Sequence, residues 1–180
     1  MCIRDRSEAD CGGFGITAKD VSPSVIEEAY ERGVQVGFTV PRLSGDLTGV
    51  RNPSKRLLPS KPFTLLPSAL VDPEGWVDVA AGRWKYSDHI TLGEGRAVIR
   101  LLDILTRSIR FHRAKVVSLQ DNRGVSGSMG KGKSPSGPLN YLLRRKAARC
   151  LAAQLYTLLP WVESCRMPAD ALSRRISGHR

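Results

Sequence analysis

Apolar residues along this chain follow two regimes that change near residue 62. Residues 1–20 contain Gly12, Gly13 and Gly15 and little periodicity, which predicts a poorly ordered start. Ser22-Pro23 followed by residues 24–33 reads as a short helix, capped by Ser22, opened by Pro23 and stopped by Gly33. Residues 34–40 are β-branched enough for a short strand. Pro41, Pro53, Pro59 and Pro62, interspersed with basic residues, predict a linker over 41–62. From Phe63 the pattern becomes regular. Residues 76–86 alternate loosely, as a strand does. Residues 91–110 carry Ala97, Val98, Leu101, Leu105 and Ile109 on one stripe, as a helix does, with Glu94 on the same stripe. Residues 115–120 (KVVSLQ) read as a strand and 131–138 as a Gly/Ser/Pro/Lys loop. Residues 139–156 read as a long Ala- and Leu-rich helix, 157–163 as an edge strand despite Pro160, and 168–175 as a final helix.

This order predicts an α/β fold: a mixed sheet flanked by helices, with a poorly ordered N-terminal extension. The expected boundaries are an extension and linker over 1–61, a domain over 62–176 and a tail over 177–180. Residues 1–6 (MCIRDR) read as translated adapter sequence and are excluded from the expected fold.

The chain has 180 residues, 41% of them apolar, enough for one domain with a real core plus an appendage. No apolar run approaches the ~20 residues that span a bilayer, and residues 1–10 lack the apolar stretch of a signal peptide. Cys2, Cys11, Cys150 and Cys165 are widely separated and far from His89, His112 and His179, which argues against a zinc module and a disulfide framework. The expectation is an intracellular protein, cytoplasmic or nuclear, with no membrane partner.

The formal net charge is +11, and it is unevenly placed. Residues 1–60 hold 8 basic and 8 acidic side chains; residues 61–180 hold 20 basic and 9 acidic, which is the whole excess. Between Asp121 and Glu163 there is no acid, while Arg123, Lys131, Lys133, Arg144, Arg145, Lys146 and Arg149 all occur. Such a surface attracts polyanions by counterion release, although a solvated helix face would also carry such charge.

Three carboxylates stand out by context. Glu94 lies on an apolar helical stripe, Asp121 where an apolar strand ends, and Asp170 in the short segment after the next strand. If they converge, they can hold two divalent ions about 4 Å apart for in-line phosphodiester cleavage. Each also has an ordinary structural use. Glu94 can close a capping box with Thr91, Asp121-Asn122 can form a turn, and Asp170 can be a first-turn acid favoured by the helix dipole. Gly93 and Gly95 weaken the helix around Glu94 by about 1 kcal/mol each relative to alanine.

Residues 84–94 (WKYSDHITLGE), 116–122 (VVSLQDN), the loop 131–140 (KGKSPSGPLN) leading into YLLRRKAA, and 167–174 (MPADALSR) resemble, in order and spacing, the RNase H-like domain that follows the reverse transcriptase in retroelement polyproteins, particularly divergent protist elements. The resemblance covers about two thirds of the chain, and PADALSR is its most specific piece.

That resemblance implies hydrolysis of the RNA strand in an RNA–DNA hybrid, using two Mg²⁺ or Mn²⁺ ions, within a larger polyprotein. Glu94, Asp121 and Asp170 would be three of four catalytic, metal-binding acids. The fourth belongs to the first strand; the nearest substitute is Asp72 in LVDPEGW, with Asp78 behind it. Arg123, Lys131, Lys133, Arg144, Arg145 and Arg149 would hold phosphates without reading bases. Trp84 and Trp161 are expected as core or rim aromatics with stacking as the alternative, and His89 as a capping or structural histidine. The rival is a catalytically inactive, connection-type nucleic-acid-binding module of the same fold. A basic RNA-binding protein outside this family would explain the charge but not the PADALSR ending.

Overall fold

The central strand is one that the hydrophobic pattern does not announce. The computed structural model describes residues 2–5, 12–36, 66–85, 88–162, 164 and 167–177. In it β1 (Cys2–Asp5) lies between β2 (Gly13–Ala18) and β5 (Leu119–Gln120), with β3 (Val77–Arg83) beyond β2. β1 runs antiparallel to β2, with Cys2 opposite Thr17 and Asp5 opposite Phe14. It runs parallel to β5, with Ile3 opposite Gln120. β3 is antiparallel to β2, and the register shifts between Ile16 and Thr17.

β4 (Lys115–Val117) pairs in parallel with β6 (Tyr156–Leu158). Only Ser118 separates β4 from β5, and its N–H donates to the Leu158 carbonyl across 2.8 Å. The ladder continues as the Gln120 N–H donates to the Pro160 carbonyl (3.0 Å) and the Val162 N–H to the Gln120 carbonyl (2.8 Å). The chain after β6 therefore follows β5 as far as Trp161, which bridges Gln120 in parallel. Parallel neighbours need long crossovers, and helices supply them. The architecture is mixed α/β.

Alternation along the strands sends side chains to two cores. Phe14 and Ile16 of β2 join α3 (Ile90–Thr106), α4 (Arg123–Lys131) and α5 (Gly137–Ala153) in one. Val117, Leu119 and Leu158 join α1 (Pro23–Val36), α2 (Ser68–Val71) and α6 (Ala169–Ser177) in the other. On α3 the buried stripe is Ala97, Val98, Leu101, Leu102 and Leu105, as its spacing predicts. Ile109 departs from that stripe: α3 ends at Thr106, and Ile109 opens a separate 3₁₀ turn where it is 85% exposed.

Two glycines are explained by close approach. A Cβ on Gly15 would lie 3.0 Å from the Ser173 nitrogen and 3.1 Å from the Ala169 oxygen, so α6 crosses β2 directly over the missing side chain. A Cβ on Gly95 would lie 3.0 Å from Leu142 Cδ1 and 3.3 Å from Leu139 Cδ1. The helix propensity that Gly95 sacrifices lets α5 pack closely against α3.

Several expectations need correction. Residues 2–5 belong to the fold, and 13–18 form a strand although Gly13 and Gly15 depress strand propensity; pairing on both sides overrides it. β1 and β2 belong to the same sheet as β3 and β5, and α1 packs in a core with residues of β4, β5 and β6, so the expected start of the folded region at 62 moves toward the beginning of the chain. Val34–Val36 are the last turn of α1 and not a strand. α4 was not anticipated, because Gly124, Gly127 and Gly130 argue against a helix; the Asn122 cap and burial of Val125 and Met129 at i, i+4 outweigh them. The linker expected over 41–62 lies outside the described residues.

Candidate active site

The end of β5 passes straight into a capped helix. After Gln120 come Asp121 and then Asn122, whose Oδ1 accepts from the N–H groups of Gly124 (2.8 Å) and Val125 (3.2 Å) and so starts α4. The Asn122 amide also donates to the Thr91 hydroxyl across 3.4 Å, tying this turn to the first turn of α3. α3 itself is capped by His89, whose Nδ1 accepts from the Thr91 N–H at 3.3 Å. The capping role expected for His89 holds. Thr91 is inside the helix and not its cap, so the capping-box reading of Glu94 falls. Glu94 lies one turn further on and is 3% exposed. Its Oε2 and Oδ1 of Asp121 are both withdrawn from solvent. Burying a carboxylate on an apolar stripe is costly, so packing alone gives no reason for an acid there.

Asp170 sits in the first turn of α6, where its N–H donates to the Met167 carbonyl (3.1 Å) and its carbonyl accepts from the Ser173 hydroxyl (3.0 Å). Glu94 and Asp170 thus come from helices on opposite faces of the sheet, and Asp121 from a strand end between them. Among the described residues no three His, Cys, Asp or Glu side chains form a group able to hold one metal ion.

Asp72 and Asp78 lie elsewhere. Asp78 is opposite Thr17, which is opposite Cys2, so both mark the end of the sheet where β1 begins. Asp72 pairs with Lys19, just past β2 at that same end (3.4 Å). Its Oδ1 accepts from the Glu74 N–H (3.1 Å) and its carbonyl from Trp76 Nε1 (2.9 Å). The Glu74 N–H, against desolvation and with further help from the Lys19 ammonium, holds its carboxyl below the ordinary carboxylate range. Asp72 organises the turn into β3. Asp121, by contrast, follows the residue opposite Ile3, on the order of 10 Å further along the strands. The acid that shares its end of the sheet is Asp5, the last residue of β1. The sequence reading missed it by excluding residues 1–6, and only strand pairing reveals it.

The six basic candidates separate by environment. The Arg123 guanidinium lies 4.1 Å from the centroid of the Trp161 ring. Trp161 in turn donates from Nε1 to the Asp121 carbonyl across 2.8 Å. Cation–π contacts of this kind are worth about 0.5–1 kcal/mol when exposed. Arg144, Lys131 and Lys133 are exposed. Arg145 lies 5.9 Å from the Tyr141 ring centroid. Arg149 is committed inward: its Nε donates to Asp103 of α3 and its Nη1 to the Arg145 carbonyl (3.2 Å). Trp84 stacks at 4.6 Å on Phe14 and belongs to the rim of the core. No helix among the described residues is long and apolar enough to cross a membrane.

Compared with known protein families, with curated proteins and with solved structures, the chain matches none.

Proposed function

We propose that this chain is an RNase H-like domain of a retroelement polyprotein, hydrolysing the RNA strand of RNA–DNA hybrids with divalent cations. The observation that carries the reading is the strand arrangement. Parallel β1 and β5 are neighbours in a mixed sheet; β1 ends at Asp5 and β5 runs directly into Asp121. The buried Glu94 is fastened to that same end through Asn122 and Thr91.

The donors suit a hard cation, because they are carboxylates, the ligands magnesium prefers. In this reading Glu94, Asp121 and Asp170 would be the metal-holding acids, and Asp5, by its place at the end of β1 beside β5, would take the first-strand position in place of Asp72. Bound ions would supply an acidified water for attack on phosphorus and neutralise charge on the leaving 3′ oxygen. Trp161 fixes the Asp121 carbonyl and Asn122 the turn that follows it, and the exposed basic residues hold the duplex by its phosphates.

The test is cleavage of a labelled RNA–DNA hybrid by the purified chain. Mg²⁺-dependent cutting, abolished by Asp121→Asn and by Asp5→Asn but retained by Asp72→Asn, is the expected result. A protein that binds hybrid yet never cuts it in Mg²⁺ or Mn²⁺ would overturn the nuclease reading and leave a binding module.

A further inference from the structure

We propose that Arg123 and Trp161 form a composite seat for a polynucleotide phosphate beside Asp121. The partner class rests on the nucleic-acid reading above; the seat itself rests on geometry. The indole is fixed from behind by its hydrogen bond to the Asp121 carbonyl (2.8 Å). Its ring covers one side of the Arg123 guanidinium at 4.1 Å. The stack restrains an exposed side chain that would otherwise sample many rotamers, and a guanidinium packed by its face keeps its N–H donors in the ring plane for a further partner.

Arg123 also differs in charge pairing from several other basic residues of the fold. Arg96, Lys115 and Arg149 each sit on a carboxylate, of Asp88, Glu27 and Asp103 respectively. Among the described residues no carboxylate pairs with Arg123, and the sequence from Asn122 to Val162 contains no acid. A planar fork held on an aromatic ring, one residue from the cap of α4, matches the oxygens of a phosphodiester. Arg123 is exposed, which suits a strand passing across it better than an enclosed small anion.

The experiment measures hybrid binding by fluorescence anisotropy in EDTA over a salt series, so it does not depend on cleavage. Arg123→Ala is expected to weaken binding about five- to tenfold and to reduce the salt slope by about one ion. Arg123→Lys keeps the slope but not the affinity, because an ammonium lacks the fork. Trp161→Ala removes the ring while keeping the Arg123 charge, and is expected to keep the slope and weaken binding several-fold, with circular dichroism verifying its fold. A salt slope unchanged in Arg123→Ala overturns the proposal. Displacement of hybrid by millimolar inorganic phosphate at constant ionic strength also overturns it, in favour of a free-phosphate site. Arg123-dependent binding without any cleavage by the parent protein leaves the seat standing and removes only the nuclease reading.

Discussion

The side-chain amide of Asn122 reaches the hydroxyl of Thr91 across 3.4 Å while its carbonyl oxygen caps α4. One residue therefore joins the end of β5, the start of α4 and the first turn of α3, the helix that carries Glu94.

Asn122→Ala should remove both connections. Loss of such a cap costs about 1 kcal/mol, and urea denaturation should show a drop of that size. Asn122→Asp keeps the capping acceptor but loses the donor to Thr91. It should restore most of the stability while leaving hybrid cleavage impaired. Equal loss of stability in both variants would contradict the division of labour between the two halves of the amide.

Gly15→Ala tests the crossing of α6 over β2. The added methyl would meet main-chain atoms of Ala169 and Ser173 at 3.0–3.1 Å, which cannot rotate away as a side-chain tip can. Overpacking of this kind costs about 1–3 kcal/mol, so thermal melting should fall by several degrees. Because α6 carries Asp170, cleavage should fall beyond what the lost stability explains, measured well below the melting transition. An unchanged melting temperature would show that α6 does not sit this closely.

Tyr30 ties α1 to the β4–β6 ladder. Its hydroxyl donates to the Val116 carbonyl (3.1 Å) and accepts from the Val116 N–H (3.2 Å). Burial raises its pKa, against the opposing pull of backbone hydrogen bonds. A raised folded-state pKa means that the neutral phenol is favoured in the fold. Its contribution is fully present below the unfolded value near 10 and is lost as pH rises above it. Stability measured from pH 8 to 11 should decline in the parent protein and decline less in Tyr30→Phe. At neutral pH that variant should be about 1 kcal/mol less stable.

Arg149→Ala should separate structural from polyanion-facing charge. Arg149 and Asp103 have side chains 22% and 26% exposed, and their ion pair bridges α5 and α3. Its loss should cost on the order of 1 kcal/mol of stability. The salt slope of hybrid binding should stay as in the parent, whereas Arg144→Ala should flatten it. A flattened slope in Arg149→Ala would place that residue on the polyanion surface after all.

Asp72 offers an acid-side check. Its carboxyl is held low chiefly by the Glu74 N–H, so its contribution is present above the unfolded carboxylate pKa and is lost as pH falls through the lower folded value. Asp72→Asn should reduce the acid dependence of unfolding without changing the pH profile of cleavage.

The apolar spacing of α3 and α5 was legible in the sequence because one face of each helix must be buried, and that need writes a 3.6-residue period into the chain. So was the reversal from apolar strand to Asp121-Asn122, since a strand end and a helix cap demand different residues. β1 and β2 left no such mark: β1 is only four residues long, and two glycines interrupt β2, so their strand character comes from neighbours far along the chain. The same is true of the choice of acids. The resemblance nominated Asp72, but register is a relation between strands: Asp72, paired with Lys19 just past β2, lies at one end of the sheet, and Asp5 lies beside Asp121 at the other. The sequence by itself determined which segments carry a periodic apolar face, where positive charge accumulates and that Glu94 faces inward. Tertiary pairing alone decided which carboxylates share an end of the sheet and that Arg123 meets Trp161. Those contacts join residues dozens of positions apart, and no local period encodes them.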